Sequence, residues 1–198
     1  MDIFITRHPT TELNEIKAIQ RHSDANLSEK GKKELSLLIT RLGKEKLEKV
    51  YTSDSPRCLI ASKRISEELS IPIVKEPLLR EIDRGRIFEI TQLPSWEEMQ
   101  KRGDNWSYPS GESFADVKKR ASVLYSNLMD SNDESILFVT HSGWIRAFVA
   151  HILGVDAVKV APHLKVINAG LTKLIVKDKS RPFATARFFY INEAGFLK

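Results

Sequence analysis

The 198-residue sequence has a single cysteine, and this scarcity limits what the chain can be. Cys58 has no partner within the chain, so an internal disulfide framework is excluded and a reducing compartment fits best. No apolar run approaches the roughly 20 residues that a membrane-spanning helix needs. The first residues also lack the basic and apolar regions of a secretory signal peptide. We therefore expect a cytoplasmic protein that has no membrane partner.

The sequence also lacks internal repeats, low-complexity tracts and an evident domain boundary. Its composition is that of a folded protein, with 41% hydrophobic and 29% charged residues, so we expect one domain over residues 1–198. The net charge of +5 would suit an anionic partner. Because lysine and arginine are spread along the chain and no nucleic-acid module is evident, we expect no nucleic-acid partner.

Apolar runs of strand length alternate with segments of helical periodicity. Ser28, Ser55 with Pro56, and Ser113 are typical of helix starts. This alternation predicts a three-layer α/β/α sandwich around a mostly parallel central sheet. Residues 80–113 interrupt the pattern with two prolines, several glycines and two tryptophans. Such a long irregular insertion predicts a lid or specificity wall.

Histidine and arginine follow the predicted strands at the points where those strands end. Three runs end in this way: Asp2–Thr6 before Arg7 and His8, Lys49–Thr52 before Ser53 and Arg57, and Ser135–Thr140 before His141. In an open α/β sheet, ligands bind outside the carboxyl ends of the strands. We therefore expect a cationic pocket that contains a nucleophile, which is an arrangement suited to phosphoryl transfer.

Short segments in the same order along nearly the whole chain resemble the histidine phosphatase superfamily, the phosphoglycerate-mutase-like group, and its phosphatase branch in particular. The segments are Thr6–Asn14, Leu27–Gly31, Tyr51–Arg57, Leu79–Gly85, Pro109–Ser113 with Asp116 and Arg120, Val139–Gly143, and Ile167–Ala169. The resemblance implies a phosphoglycerate-mutase-like fold and a site built from Arg7, His8, Asn14, Arg57, Glu81 and His141. Two departures stand out: Pro9 replaces the usual glycine, and the residues after Gly85 differ from the family pattern.

The resemblance implies that His8 attacks phosphorus and becomes a phosphohistidine. A neutral imidazole is a competent nucleophile near pH 7. Arg7 and Arg57 can clamp the phosphoryl oxygens and keep their charge. His141, as an imidazolium, would add a third cation, although a buried and hydrogen-bonded histidine is the structural alternative. The amide contact that Pro9 lacks would alter this geometry without abolishing it.

Glu81 is the implied proton donor, because the leaving oxygen must gain a proton and the attacking water must later lose one. Asp83 competes with it on sequence alone, and a surface glutamate is the structural alternative. A second anionic group of the substrate could meet Arg21, His22 or Arg84, unless these side chains are merely solvated.

The leading prediction is a phosphatase for small phosphomonoesters that needs neither metal nor cofactor and binds a small anionic phosphorylated metabolite. A cofactor-dependent phosphoglycerate mutase is the alternative among enzymes. Only 29 residues separate Glu81 from Gly111, which should ease water access and favour hydrolysis. The departures at Pro9 and after Gly85 leave a catalytically inactive regulatory protein as a third possibility. A homodimer would be compatible with each of these functions.

Overall fold

A six-stranded sheet forms the centre of the protein in a computed structural model that describes residues 1–20, 22–24, 26–86 and 94–198. The strands are β1 (Asp2–Arg7), β2 (Lys49–Thr52), β3 (Ile73–Lys75), β4 (Ser135–Thr140), β5 (Leu171–Val176) and β6 (Ala186–Glu193). Their order across the sheet is β3-β2-β4-β1-β5-β6. The first four in this order run parallel, while β5 is antiparallel to β1 and to β6. The predicted mostly parallel sheet is confirmed.

The helices in the described residues are α1 (Glu12–Glu15), α2 (Glu29–Leu42), α3 (Pro56–Leu69), α4 (Trp96–Arg102), α5 (Phe114–Met129), α6 (Ser142–Leu153), α7 (Ala157–Val160) and α8 (Pro182–Thr185). Three of them, α2, α3 and α5, begin directly after the predicted serines. The Ser28 hydroxyl accepts from the Gly31 amide, and Ser113 forms a capping box with Asp116. Ser55 precedes α3 as expected, but its hydroxyl makes no capping hydrogen bond.

Helices cover both faces of the sheet. Alternate residues of each strand point to opposite faces, so each face contributes apolar side chains to its own layer of helices. Phe4 and Leu137 pack with α2 and α3 in one apolar cluster, whereas Ile5 and Phe138 pack with α5 and α6 in another. The central strands are therefore buried on both faces and read as continuous apolar runs in the sequence. These two clusters make up the three-layer α/β/α sandwich, and the predicted fold class is confirmed.

The carboxyl ends of β1, β2 and β4 lie at one edge of the sheet. The register pairs Arg7 of β1 with Thr140 of β4, and Thr52 of β2 with Val139 of β4. After β1 the chain leads to α2 on one face, and after β4 it leads to α6 on the other. Such a divergence opens a crevice beyond the strand ends. The fold thus brings together three chain segments that are far apart in sequence.

The described part of the 80–113 insertion packs onto the protein body through aromatic and apolar side chains. Helix α4 buries Met99 in the same apolar cluster as Tyr108. Arg102 lies over the Trp106 ring, and Arg146 of α6 lies over the Trp96 ring. The role of this insertion as a lid or specificity wall stays a prediction. None of the described helices combines the length and apolar character that a bilayer crossing requires.

Candidate active site

His8 follows β1 directly and is almost completely buried, with 3% of its surface exposed. Its backbone N–H donates to the Thr140 carbonyl on the neighbouring strand (2.9 Å). Its ring Nδ1 lies 2.9 Å from the Pro9 carbonyl oxygen, which can only accept, so Nδ1 carries the proton. The lone pair is therefore on Nε2. Pro9 lacks the amide N–H that the usual glycine would have, but its carbonyl group fixes the tautomer of the His8 ring.

His141 precedes α6 and is held by hydrogen bonds to both ring nitrogens. Arg57 donates from Nη2 to Nδ1 (3.3 Å), so the ring proton is on Nε2, which lies 2.9 Å from Ser53 Oγ and 3.3 Å from Ser55 Oγ. Ser55 thus contacts His141 instead of capping α3. The ring centroids of His8 and His141 are 5.3 Å apart, at an interplanar angle of 62°.

Burial and nearby positive charge keep both histidine rings neutral. Desolvation lowers the pKa of His8 well below its ordinary value of 6.5, and His141, Arg7 and Arg57 lower it further. Desolvation followed by the Arg57 and Arg7 charges also lowers the pKa of His141 well below 6.5. This supports a neutral nucleophile at His8 but differs from the imidazolium expected at His141. The sequence does not show that the arginines lie close enough to oppose protonation.

Two arginines place positive charge next to the His8 ring. Arg57, which is 3% exposed, donates from Nη1 to the Asp24 carbonyl (3.2 Å) and from Nη2 to His141 Nδ1. Arg7 donates from Nη1 to the Val166 carbonyl (2.9 Å), and its buried Nε has no hydrogen-bond partner among the described residues. Burial lowers the pKa of Arg7, and the nearby Glu81 carboxylate does not fully offset this effect. A buried cation with an unused donor favours a bound anion.

A buried carboxylate holds the loop that follows His8. The Glu34 carboxylate accepts from the Thr10 amide (2.8 Å) and from the Thr10 hydroxyl (2.9 Å). A methyl group on Gly31 would lie 1.9 Å from the Thr10 carbonyl oxygen, so α2 must have glycine there. Glu34 is not among the residues predicted from the sequence, although a charged residue on the apolar stripe of α2 is a usable signal.

Asn14 and Asn168 connect this loop to the entry of β5. The Asn168 amide donates to the His8 carbonyl (2.9 Å) and to Asn14 Oδ1 (3.1 Å). Asn14 also lines the cleft described below, where we expect it to bind substrate. Asn168 belongs to the Ile167–Ala169 motif, but nothing in one sequence indicates that β5 begins beside His8.

The Glu81 side chain packs against the first turn of α6, the helix that His141 precedes. Its carboxylate accepts from the amides of Gly143 (3.1 Å), Trp144 (3.1 Å) and Ile82 (3.0 Å). Asp83, the competing candidate, is exposed and accepts from the amide of Gly85 (2.8 Å). Both residues line the cleft beyond the strand ends, but only the Glu81 carboxylate is held by the first turn of α6, and its role as proton donor stays a prediction.

A side chain from α5 secures the segment that carries Glu81. Arg120 donates from Nη1 to the Leu78 carbonyl (2.7 Å) and from Nη2 to the Glu81 carbonyl (3.4 Å). Its guanidinium also forms a bidentate pair with Glu112 (2.8 and 2.9 Å). Arg120 is thus occupied by structural contacts, and we expect it to position Glu81 rather than bind substrate.

These side chains border a cleft of about 950 Å³ beyond the strand ends. The described lining includes the predicted residues Arg7, His8, Asn14, Arg57 and Glu81, and also His22 and Arg84. His141 is 1% exposed and lies behind Arg57. Arg21 and residues 87–89, where the sequence departs from the family pattern, lie outside the described residues.

Comparison with known proteins identifies the family. The profile of the histidine phosphatase superfamily (branch 1) matches residues 3–186. The chain belongs to the histidine phosphatase superfamily. This membership agrees with the placement of Arg7, His8 and Arg57 at a single cleft, with His141 behind Arg57.

Curated relatives of this superfamily member include both phosphatases and mutases. Phosphoserine phosphatase 1 of Hydrogenobacter thermophilus is 27% identical over 165 residues, which cover 79% of this chain and 78% of the relative. A probable phosphoglycerate mutase of Serratia proteamaculans is 26% identical over 182 residues, which cover 88% and 84%. The two activities share a family, so membership alone does not separate them.

Solved structures share the fold of this superfamily member over almost its whole length. A native mycobacterial glucosyl-3-phosphoglycerate phosphatase superposes with a TM-score of 0.83 at 22% identity, covering 98% of this chain and 99% of the other. The YhfR protein of Bacillus stearothermophilus gives 0.82 at 22% identity, covering 100% and 99%. At this identity the likeness establishes the fold alone.

Proposed function

We propose that this superfamily member is a phosphatase that hydrolyses small phosphomonoesters through a phosphohistidine on His8. One observation carries the proposal: the buried His8 ring, whose Nδ1 lies against the Pro9 carbonyl, shares a cleft with the buried Arg57 and the half-buried Arg7. Burial and the neighbouring positive groups lower the pKa of His8, which favours the neutral ring. This arrangement leaves Nε2 as the nucleophilic atom and surrounds it with groups that attract phosphoryl oxygens.

The chemistry divides into two proton-balanced steps. In the first, His8 Nε2 bonds to phosphorus, the bond to the ester oxygen breaks, and Glu81 gives its proton to the leaving alcohol. In the second, water attacks the phosphohistidine while Glu81 takes a proton from it, and phosphate leaves His8. The same carboxyl group thus acts as acid and then as base.

Binding of the dianionic phosphoryl group should change the state of His141. Burial lowers the His141 pKa most, and the Arg57 and Arg7 charges lower it further, so negative charge beside Arg57 offsets the second cause. A proton on Nδ1 would replace the hydrogen bond that Nδ1 accepts from Arg57, so the guanidinium must turn its Nη2 donor to the phosphoryl oxygens as the ring gains its proton. We therefore expect the imidazolium predicted from the sequence to form with bound phosphate. Glu81 must likewise gain a proton to act as the donor in the first step.

The scheme requires no metal, because guanidinium and imidazolium groups supply the positive charge. In the described part of the chain, no group of three or more His, Cys, Asp or Glu side chains has metal-binding geometry. We expect turnover of p-nitrophenyl phosphate to survive EDTA. Loss of activity with EDTA and its recovery with magnesium or zinc would contradict this scheme.

A variant of the nucleophile provides the main test and also addresses the binding-only alternative. His8→Ala should abolish p-nitrophenyl phosphate hydrolysis, whereas His163→Ala, at an exposed position, should retain it. Inactivity of the wild-type protein toward a broad panel of phosphomonoesters would favour an inactive regulatory protein. Equal activity of His8→Ala and wild type would refute the proposed nucleophile.

Phosphoglycerate mutase activity is the second candidate, because several relatives are named as probable phosphoglycerate mutases. A mutase must return the phosphoryl group to a hydroxyl group and exclude water. The assay supplies 3-phosphoglycerate with 2,3-bisphosphoglycerate and follows free phosphate and 2-phosphoglycerate together. Faster phosphate release would support the phosphatase, and faster isomerisation would support the mutase.

We extend the proposal to the setting of the enzyme. Its partner would be a small anionic phosphorylated metabolite, with no role for nucleic acid or membrane. A cytoplasmic location would suit the lone, buried thiol of Cys58. A homodimer is also proposed, and light scattering of the purified protein would test it directly.

A further inference from the structure

Gly143 occupies a position where the backbone itself does not require glycine. It lies in the first turn of α6, and its φ is not in the left-handed region that favours glycine. Within a helix, glycine is less favourable than alanine because it loses more conformational entropy on folding. The reason for its presence must therefore be sought in its surroundings.

The Glu81 carboxylate occupies the space next to Gly143 that a side chain would fill. A methyl group built on Gly143 would lie 2.4 Å from Glu81 Oε1 and 3.2 Å from its carboxyl carbon. The same methyl group would lie 3.0 Å from Cγ2 of Ile82. The first distance is far below van der Waals contact, so Glu81 could not keep its position beside an alanine.

The same approach provides the hydrogen bonds that hold the carboxylate. Glu81 Oε2 accepts from the Gly143 amide (3.1 Å), and Oε1 accepts from the Trp144 amide (3.1 Å). These amides belong to the first turn of α6, where backbone N–H groups lack intrahelical partners and attract negative charge. His141, which contacts Arg57, precedes the same helix.

We propose that Gly143 is a positioning residue for Glu81: its missing side chain lets the carboxylate bind the first turn of α6 and remain near the reaction centre. The kinetic consequence rests on the proposed function, because it requires Glu81 to transfer protons. The contact itself can be tested without any catalytic assay.

The kinetic test compares two substrates that differ mainly in how much they need a proton donor. p-Nitrophenyl phosphate has a good leaving group, whereas phenyl phosphate has a poor one, so loss of acid catalysis should harm phenyl phosphate more. The quantity compared is kcat/KM, because it covers only the steps up to release of the alcohol, before Glu81 acts as a base. For Glu81→Gln we expect kcat/KM to fall by about 100-fold or more with phenyl phosphate and by much less with p-nitrophenyl phosphate. Gly143→Ala should shift the ratio in the same direction, by at least about tenfold.

The matched control is Gly154→Ala at the other end of α6. Gly154 has φ +68°, and a methyl group there would have no neighbour within 4 Å. This variant should lower the melting temperature through backbone strain while keeping the wild-type ratio of the two substrates. A similar ratio change in Gly154→Ala would mean that the effect reports general destabilisation, and would overturn the proposal.

The outcomes separate the two claims. If Glu81→Gln changes the substrate ratio but Gly143→Ala does not, the positioning role is wrong and the proposed function stands. If Glu81→Gln leaves the ratio unchanged, the proposed role of Glu81 is wrong, and the contact between the two residues is then judged from stability.

A thermal double-mutant cycle provides that measurement even if Gly143→Ala folds poorly. With Glu81 present, Gly143→Ala should lower the melting temperature. In the Glu81→Ala background the clash with the carboxylate is gone, so the same substitution should cause little loss or a gain. An equal loss in both backgrounds would assign the clash to Ile82 and overturn the proposal.

Discussion

The two buried histidines should make the free energy of unfolding depend on pH between about 7.5 and 5.5. His8 and His141 have pKa values well below 6.5 in the folded protein, whereas in the unfolded chain each ring titrates near 6.5. Below pH 6.5 the unfolded state therefore binds more protons than the folded state. By linkage, stability is fully present above pH 6.5 and is lost as the pH falls.

The size of the effect follows from the unfolded state alone, provided that both rings stay neutral in the fold. Between pH 7.5 and 5.5, protonation of one unfolded histidine lowers the free energy of unfolding by about 1.4 kcal/mol. His8 and His141 together should therefore contribute about 2.7 kcal/mol. Burial also lowers the pKa of His151, which adds a smaller loss of the same sign because that ring is partly exposed.

The assay is urea denaturation at a series of pH values in a phosphate-free buffer, analysed as a two-state transition. His8→Asn should remove about 1.4 kcal/mol of the pH-dependent loss. His163→Asn, at an exposed histidine, should follow the wild-type curve. If wild type and His8→Asn show the same dependence on pH, the His8 ring is not kept neutral by burial and the inferred state of the nucleophile is wrong.

Two further substitutions and one labelling experiment test individual side chains. Arg57→Lys cannot hold His141 and the Asp24 carbonyl as a planar group does, so kcat/KM for p-nitrophenyl phosphate should fall by about 100-fold or more; a fall below about threefold would contradict the clamp. Burial raises the pKa of Cys58 to about 12, so native protein at pH 8 should resist iodoacetamide, and rapid labelling without unfolding would contradict this. Glu34→Leu leaves the Thr10 donors unsatisfied and should cost about 2–5 kcal/mol in chemical denaturation, whereas a loss under 1 kcal/mol would show that the loop is held otherwise.

The sequence predicted the fold well because its signals are local. Apolar runs of strand length, serine caps and a proline in the first turn of α3 each depend on a few neighbouring residues. The strand exits also placed Arg7, His8 and Arg57 at one edge, since parallel strands end together. The family resemblance supplied Glu81 where Asp83 was equally plausible from the residues alone.

The parts that could not be predicted depend on contacts between distant segments. Burial lowers the pKa of His141, and guanidinium groups from two other strand exits lower it further; a single sequence gives neither the burial nor those distances. Ser55 matched a helix cap, yet the geometry of the β2–α3 turn directs its hydroxyl to His141. The need for glycine at position 143 likewise arises from a carboxylate that lies 62 residues away in the chain.

The most direct test of the account is to trap the phosphoryl group during turnover. Wild-type protein mixed with ³²P-labelled substrate and quenched in alkali should carry an acid-labile label that peptide mapping places on His8. His8→Ala should carry none. A label on another residue, or rapid phosphate release without any labelled protein under single-turnover conditions, would contradict the phosphohistidine mechanism.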